Sequence, residues 1–404
     1  MKESRHGAPH LHGLVREQVE WEYPVMVASA YDIIVLGVGG MGSAAMWHLA
    51  RRGRRVLGLE RFDIPHTMGS SHGANRIIRL AYFEDPAYVP LLRRAYENWR
   101  ELEARFGETL LFITGSADAG PVDGPVVAGS LRACHEHGLP HELLTARELS
   151  RRFPGCRLPG RYGAVLQPEG GFVASERAIV AHVMLAQTMG AEIRARERVL
   201  TWMPTPGGGV RVRTERGTYE AGCLVVSAGA WIQDFVPMLR GRAVPERQVI
   251  GWFQPLDPVL FTPATFPVFV LQADEGTFYG FPVWSVPGFK IGLDHHLRET
   301  GEADAIDRDI HARDEAVLRV ALERYFPAAN GPTMALRTCL YTNVSDEHFV
   351  IDTLPDSPQV VVASPCSGHG YKFCSVIGEV LADLATEGCT RFDLSSFRLS
   401  RLAA

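Results

Sequence analysis

After Asp32 the run Ile33-Ile-Val-Leu36 has no polar alternate, so Asp32–Leu36 is expected to form a strand buried on both faces. The turn Gly37-Val-Gly39-Gly-Met-Gly42 follows, then a helix over Ser43–Arg52 and a second strand over Arg55–Leu59 ending at Glu60. Helical spacing returns over Ala87–Phe106, with Val89, Leu91, Leu92, Ala95, Trp99 and Leu102 on one side. Through 115–170 glycine, proline and charge rise and the helices read as short. Another amphipathic helix covers Ser175–Met189 and stops at Gly190. A meander of Val199–Met203, Val210–Thr214 and Tyr219–Glu220 leads into a buried strand, Leu224–Ser227, and its glycine turn. Residues 248–295 are rich in aromatic and β-branched side chains and read as several antiparallel strands, and Ile306–Tyr325 reads as a helix. The opening theme recurs at the end as strand Val360–Ser364, turn Ser367-Gly-His-Gly370 and helix Tyr371–Glu387.

This order predicts an α/β protein of two domains. Segments 30–108, 165–240 and 335–397 form a discontinuous Rossmann-like domain, and 109–164 with 241–334 form a second domain on a mainly antiparallel sheet. Residues 1–29 read as an N-terminal extension, expected to be mobile, and Met26 as a candidate start. In the first turn Gly37 suits the tight bend, Gly39 the approach of a pyrophosphate, and Gly42 close packing of helix on strand. The helix N-terminus offers free N–H groups to the diphosphate, and Glu60, about 20 residues on, suits a ribose diol. Between two strands this pattern points to an adenine dinucleotide.

Composition narrows the choice. A formal charge of -5 over 404 residues leaves no basic footprint for nucleic acid. No apolar run approaches the ~20 residues of a membrane span, and no secretory signal is visible. Seven cysteines, with no CxxC pair and no metal spacing, fit a reducing cytoplasm. Of 41 basic Lys and Arg residues only Lys2, Lys290 and Lys372 are lysine. In so Arg-biased a chain, a lysine draws notice where a compact, deprotonatable ammonium is needed.

The motifs His66-Thr-Met-Gly-Ser-Ser-His-Gly73, Arg76-Ile-Ile-Arg79, Ser227-Ala-Gly-Ala-Trp231, Tyr279-Gly-Phe-Pro282, Cys339-Leu-Tyr-Thr342, Asp346-Glu-His-Phe349 and Ser367-Gly-His-Gly-Tyr-Lys-Phe373 stand in order behind that first turn. From about Tyr31 to Phe397 the chain resembles the monomeric sarcosine oxidase and N-methyltryptophan oxidase family, with pipecolate oxidase a near relative. The resemblance implies a glutathione-reductase-like FAD-binding fold and FAD joined covalently to Cys339, a residue that by itself reads as a buried structural thiol. The implied cofactor-binding set is Gly37, Gly39, Gly42, Met41, Glu60, Arg61, Ser70, His72, Arg76, Val199, Ala228, Gly229, Trp231, Cys339, Gly368, His369, Gly370 and Lys372.

It also implies that Lys290 faces the flavin and promotes its reaction with oxygen, a cation stabilising developing negative charge. Arg76 and His72 flank the ring as the other catalytic positions. Arg79 and Lys372 match ligands of the substrate carboxylate, Arg as a bidentate fork and Lys as a point charge. Tyr279 and Tyr341 match residues that shape the pocket. Each also has a plainer reading: surface lysine, interface ion pair or aromatic core.

The chain departs from the family four residues after Lys290, where a pocket histidine gives way to Asp294 followed by His295 and His296. Either a local shift lets His295 fill the place, or a carboxylate enters the pocket and favours a basic or larger amine. Pro365-Cys366 also replaces a small-aromatic pair and could widen the site. The implied reaction is oxidation of a secondary amino acid to an imine, with oxygen reduced to hydrogen peroxide by a monomeric enzyme. Alternatives are a bulkier or cyclic amine, a dehydrogenase using another acceptor, a nicotinamide enzyme, and an inactive flavin-binding protein.

Overall fold

The computed structural model describes residues 31–403, so the expected N-terminal extension and the candidate start at Met26 lie outside the described residues. The strand Tyr31–Leu36 sits inside an eight-stranded sheet, parallel to Val56–Leu59 on one side and Thr218–Val226 on the other. Every residue of Val56–Leu59 is buried, as a strand covered on both faces requires. The strand Thr218–Val226 takes two partners along one edge. Its first half pairs antiparallel with Val210–Thr214, and its second half runs parallel to Ser357–Ser364. The sequence reading split this strand in two. It is continuous because Gly222 has no Cβ to crowd Asp32 O, which would lie 3.2 Å away.

Against this sheet lies the helix Gly40–Ala50, buried at every residue except Met41. It packs on Ser175–Thr188 and on the C-terminal helix Cys374–Glu387. Its start is earlier than the expected Ser43, with Gly39 as N-cap and Gly40 and Gly42 already helical. The last helix likewise differs in detail, since Tyr371–Phe373 form a 3-10 turn before the α-helix.

A second eight-stranded sheet runs in the order Thr333–Asn343, Val244–Phe253, Phe289–Leu293, Gly276–Phe281, Val268–Ala273, Ser116–Pro121, Tyr162–Gln167, Glu142–Thr145. Every pairing in it is antiparallel except Val268–Ala273 with Ser116–Pro121. Buried Phe253, Phe261, Phe269, Phe278 and Phe289 fill its core against Leu318 and Leu322 of the helix Ala312–Tyr325. That helix starts later than the expected Ile306. The Asp314 side chain reaches back to its start, where Oδ2 accepts the His311 N–H at 2.8 Å. The expected boundaries at 165 and 335 fall inside Tyr162–Gln167 and Thr333–Asn343, two strands of this second sheet. A small antiparallel sheet of Asn75–Ile78, Gly171–Ala174 and Leu111–Ile113 completes the strand inventory among the described residues. Among them no helix is long and apolar enough to cross a membrane.

Candidate functional site

The first glycine turn is closed by contacts that leave no room for side chains. Gly37 has φ +87°, and a Cβ there would lie 2.6 Å from Ser227 O. A Cβ on Gly42 would sit 1.8 Å from Gly37 O, so helix and strand meet only because it is absent. Gly39 caps the helix without a side chain of its own, and the Gly40 N–H donates to Ser71 Oγ at 3.3 Å, beside a cavity of about 530 Å³ lined by Gly39, Gly40 and Met41. The Glu60 carboxylate is buried at the end of its strand. Its two oxygens accept the N–H groups of Val38, at 2.8 Å, and Phe62, at 2.9 Å.

Arg61 and Trp231 form one end of this cavity, both bonded to Asp304 at 2.9 and 2.7 Å. Gly37, Gly39, Met41, Glu60, Arg61, Ser70, Arg76, Val199, Ala228, Gly229, Trp231, Tyr341, Gly368 and Gly370 share its wall. These residues come from widely separated stretches of the chain. A long groove with a helix N-terminus in its wall, a fixed carboxylate and side chain-free backbone fits an extended dinucleotide. Gly42 underlies the groove, while His72, Cys339, His369 and Lys372 stand outside its immediate wall.

At the inner end the second sheet contributes Lys290, buried among Phe281 and Trp252. Its Nζ donates to Gly73 O, Asn75 O and Asn75 Oδ1, each at 2.8 Å. Burial and the nearby Arg76 push its pKa well below that of a free lysine, while the three oxygens favour the charged form. The same loop is gripped from the opposite side by Glu176, whose Oε1 accepts the Gly73 N–H at 2.7 Å and the Ala74 N–H at 3.1 Å. Arg76 is pinned by the carbonyls of Ser70, at 2.6 Å, and Asn75, at 2.9 Å. His72 is buried with Nε2 unpartnered among the described residues, and burial lowers its pKa to about 3, so its imidazole is neutral.

Cys339 and Tyr341 alternate along Thr333–Asn343 and therefore share one face. The Cys339 thiol is buried, which raises its pKa, against an opposing pull from Arg76 and Lys290. Tyr341 lies over Gly368, where a Cβ would come within 2.7 Å of its ring, and Tyr279 lies over Gly292 in the same way at 2.4 Å. His369 is held by Tyr82 through Nδ1 and by Glu347 O through Nε2 at 2.9 Å; burial lowers its pKa to about 4. It ties the second glycine turn down in neutral form.

Arg79 is buried and already engaged. It donates from Nη2 to both Glu84 oxygens at 2.9 Å and from Nη1 to Ala81 O at 2.7 Å, while Nε stands 3.6 Å from Asp118 Oδ1. Lys372 Nζ donates to His369 O at 2.6 Å, and burial brings its pKa down to about 7. His295, in the left-handed region at φ +54°, turns its Nδ1 to Glu246 Oε2 at 3.0 Å, and that bond raises its pKa. Asp294 keeps 38% of its side-chain surface, yet the enclosing protein raises its carboxyl pKa, against the pull of His295 and Tyr341. Of the two residues, Asp294 is thus partly exposed, while His295 is held by Glu246 through Nδ1.

Glu84, Asp118, Asn75 and Glu176 belong to this constellation and were not singled out from the sequence. Asp118 carried the one available signal, a carboxylate in the otherwise small and apolar strand Ser116–Pro121.

Comparison with known proteins gives the same picture. The FAD dependent oxidoreductase family model matches residues 32–384. Monomeric sarcosine oxidase of Streptomyces avermitilis is 42% identical over 384 residues, covering 94% of this chain and 99% of the relative. N-methyl-L-tryptophan oxidase of Salmonella dublin is 35% identical, covering 92% and 99%. Among solved structures, NikD, an unusual amino acid oxidase essential for nikkomycin biosynthesis, superposes with a TM-score of 0.81 at 30% identity, covering 92% of this chain and 98% of that one. Glycine oxidase from Geobacillus kaustophilus shares the fold, with a TM-score of 0.78 at 20% identity.

Proposed function

Because the chain belongs to the FAD dependent oxidoreductase family, we propose that it is a flavoprotein amine oxidase of the sarcosine oxidase type, acting on a secondary amino acid. The observation that carries this reading is the groove running from Glu60 to Tyr341, with Arg76 in its inner wall and Lys290 buried behind it. The oxidation removes two electrons and two protons from the N–CH unit and leaves an imine. Water adds to the imine and releases an aldehyde and the primary amino acid, while oxygen takes up the electrons and protons as hydrogen peroxide. FAD, when bound, supplies the two-electron carrier between these half-reactions.

The protein's part is to bind, orient and exclude water. Glu60 and the N-terminus of Gly40–Ala50 would hold the adenosine and diphosphate portions, and Cys339 would carry the covalent bond. Lys372 and Arg79 would receive the substrate carboxylate, with Arg79 sharing its fork between that ligand and Glu84. Tyr279 and Tyr341 wall the amine side. With His72 and His369 both neutral near pH 7, no buried imidazolium opposes a developing cation, and positioning does most of the work. In its ammonium form, which its three oxygen partners favour, Lys290 stabilises negative charge developing on a small diatomic molecule and so favours oxygen over a bulkier acceptor. All seven cysteines are free, which supports a reducing cytoplasm, and we carry over the monomeric state of the sarcosine oxidase relatives.

The test is the absorption spectrum of the purified protein before and after acid precipitation, followed by anaerobic addition of N-methyl amino acids. Colour retained in the precipitate, lost in Cys339→Ser and bleached by amine is the expected result. Colour released to the supernatant by the wild type refutes the covalent bond, and a flavin that no secondary amine bleaches refutes the reaction.

A further inference from the structure

Lys290, on a strand of the second sheet, and Asn75, on the small antiparallel sheet, are each 1% exposed. The ammonium gives its three protons to three neutral oxygens, Gly73 O, Asn75 O and Asn75 Oδ1, each at 2.8 Å. Two of the three belong to one residue. Among the described residues Lys290 forms no ion pair, whereas buried Arg79 and Arg247 stand against Glu84 at 2.9 Å and Asp314 at 2.7 Å. A buried cation without a counter-ion is costly, and here dipoles alone carry it. Its charge is thereby left whole, since no anion stands beside it to cancel its field.

The surroundings offer that charge little other support. Arg76, next along the strand, shares the Asn75 carbonyl through Nη1 at 2.9 Å and sets a second cation beside the first. His72, in the preceding loop, is neutral, and Cys339, on Thr333–Asn343, is a thiol whose burial disfavours ionisation. Glu176, in the first turn of Ser175–Thr188, lends a favourable carboxylate field, but from across the loop, where it accepts the Gly73 and Ala74 N–H groups. Gly73 and Ala74 are both left-handed, at φ +99° and +72°, so the loop turns N–H groups to Glu176 and carbonyls to Lys290. Burial, and then Arg76, push Lys290 towards the neutral amine. The opposing pull rests on the three oxygens, and Asn75 Oδ1 is the one that a side chain supplies.

We infer that Asn75 is the positioning residue of Lys290: its side-chain oxygen keeps the buried amine protonated, and its neutrality leaves that charge uncancelled for the reaction with oxygen. The second half rests on the oxidase reading proposed above; the first does not. Aspartate at this position would hold the cation and cancel it, and leucine would not hold it. Loss of one charge-assisted hydrogen bond should move the titration of Lys290 about one to two pH units lower.

Because the chain has only Lys2, Lys290 and Lys372 as lysines, the charge can be read directly. In flavin-loaded protein carrying isotope-labelled lysine, the Cε resonance of Lys290, assigned by its loss in Lys290→Met, is titrated in wild type, Asn75→Leu and Asn75→Asp. Reoxidation by oxygen is followed on the same proteins after photochemical reduction of the flavin, which needs no amine substrate. The expected result is an ammonium in the wild type at about pH 7, a midpoint about one to two pH units lower in Asn75→Leu, and a higher midpoint in Asn75→Asp. Above its new midpoint Asn75→Leu should reoxidise about 10²-fold more slowly and recover on acidification, while Asn75→Asp should be about 10-fold slow although its lysine is charged. A neutral Lys290 in the wild type at about pH 7, or a midpoint unmoved in Asn75→Leu, overturns the inference. So does an Asn75→Asp variant that reoxidises as fast as wild type. If Asn75→Leu does not fold, Asn75→Asp decides: a higher midpoint with slower reoxidation supports the inference, and any other result overturns it. Failure of every secondary amine to bleach the flavin would defeat the proposed reaction instead, with the titrations unaffected.

Discussion

Replacing Lys290 with Met separates two roles that one side chain performs. Structurally, Nζ serves three oxygens, those of Gly73, Asn75 and the Asn75 side chain, all at 2.8 Å. Methionine leaves these acceptors without a donor, at about 1–3 kcal/mol each if nothing replaces it. Two effects offset this: a buried charge disappears, and the thioether packs on Phe281, whose ring centroid lies 4.1 Å from Nζ in the wild type. The net loss should be about 2–4 kcal/mol, read as a lower urea midpoint of the flavin-loaded protein with an unchanged slope. Chemically, the three protons are all committed within the protein, so the cation acts through its field. Its loss should slow reoxidation by oxygen about 10²–10³-fold, while anaerobic reduction by amine changes much less. Stopped-flow measurement of the two half-reactions, set beside the unfolding curves, distinguishes the roles. Equal slowing of both half-reactions would refute oxygen activation, and a variant as stable as wild type would refute the clamp on the Gly73–Asn75 loop.

Gly42→Ala places a Cβ 1.8 Å from Gly37 O and should abolish flavin retention while lowering stability by more than about 3 kcal/mol; a yellow, stable variant would contradict the packing argument. Glu176→Ala removes the acceptor of the Gly73 and Ala74 N–H groups and should cost about 2–4 kcal/mol, with faster hydrogen exchange confined to that loop as the diagnostic. Asp118 gives a pH signature. Burial raises its pKa to about 6 from 3.8, so the folded state binds the extra proton and wild-type stability falls as pH rises between those values. Asp118→Asn cannot titrate there, so relative to wild type it should gain up to about 3 kcal/mol between pH 3.5 and 7; a pH-independent difference would show that Asp118 ionises freely. Lys372→Met should raise KM for amino-acid substrates about 10- to 100-fold and leave amines lacking a carboxylate little affected.

Legibility in the sequence followed the range of the interactions. The strand, glycine turn and helix near residue 40 and their counterpart near 370 depend on local pattern and turn chemistry, and both ends of the groove were readable from them. The split placed within Thr218–Val226 failed because Gly222 permits close approach to a strand some 190 residues earlier, and nothing local announces that contact. The late start of Ala312–Tyr325 depends on a cap whose acid also serves buried Arg247 in another strand. At the site, the basic residues stood out by their rarity and motif, but their partners did not. Asp118 acquires meaning only when the second sheet brings Ser116–Pro121 beside Arg79, and Asn75 only when Phe289–Leu293 delivers Lys290 to it, whereas Glu84 pairs with Arg79 from five residues away in a stretch with no periodic pattern to mark it.

The helix Gly40–Ala50 completes its burial against Cys374–Glu387, more than three hundred residues downstream. A ribosome therefore releases a nearly uncharged, largely apolar helix long before its cover exists, and Ser357–Ser364, which completes the parallel edge, also emerges late. The nascent chain must carry that exposed surface through most of its synthesis. Truncation before the last helix should thus yield aggregate in place of a smaller folded body, and shielding by a holdase during translation would matter more for this protein than its finished stability suggests.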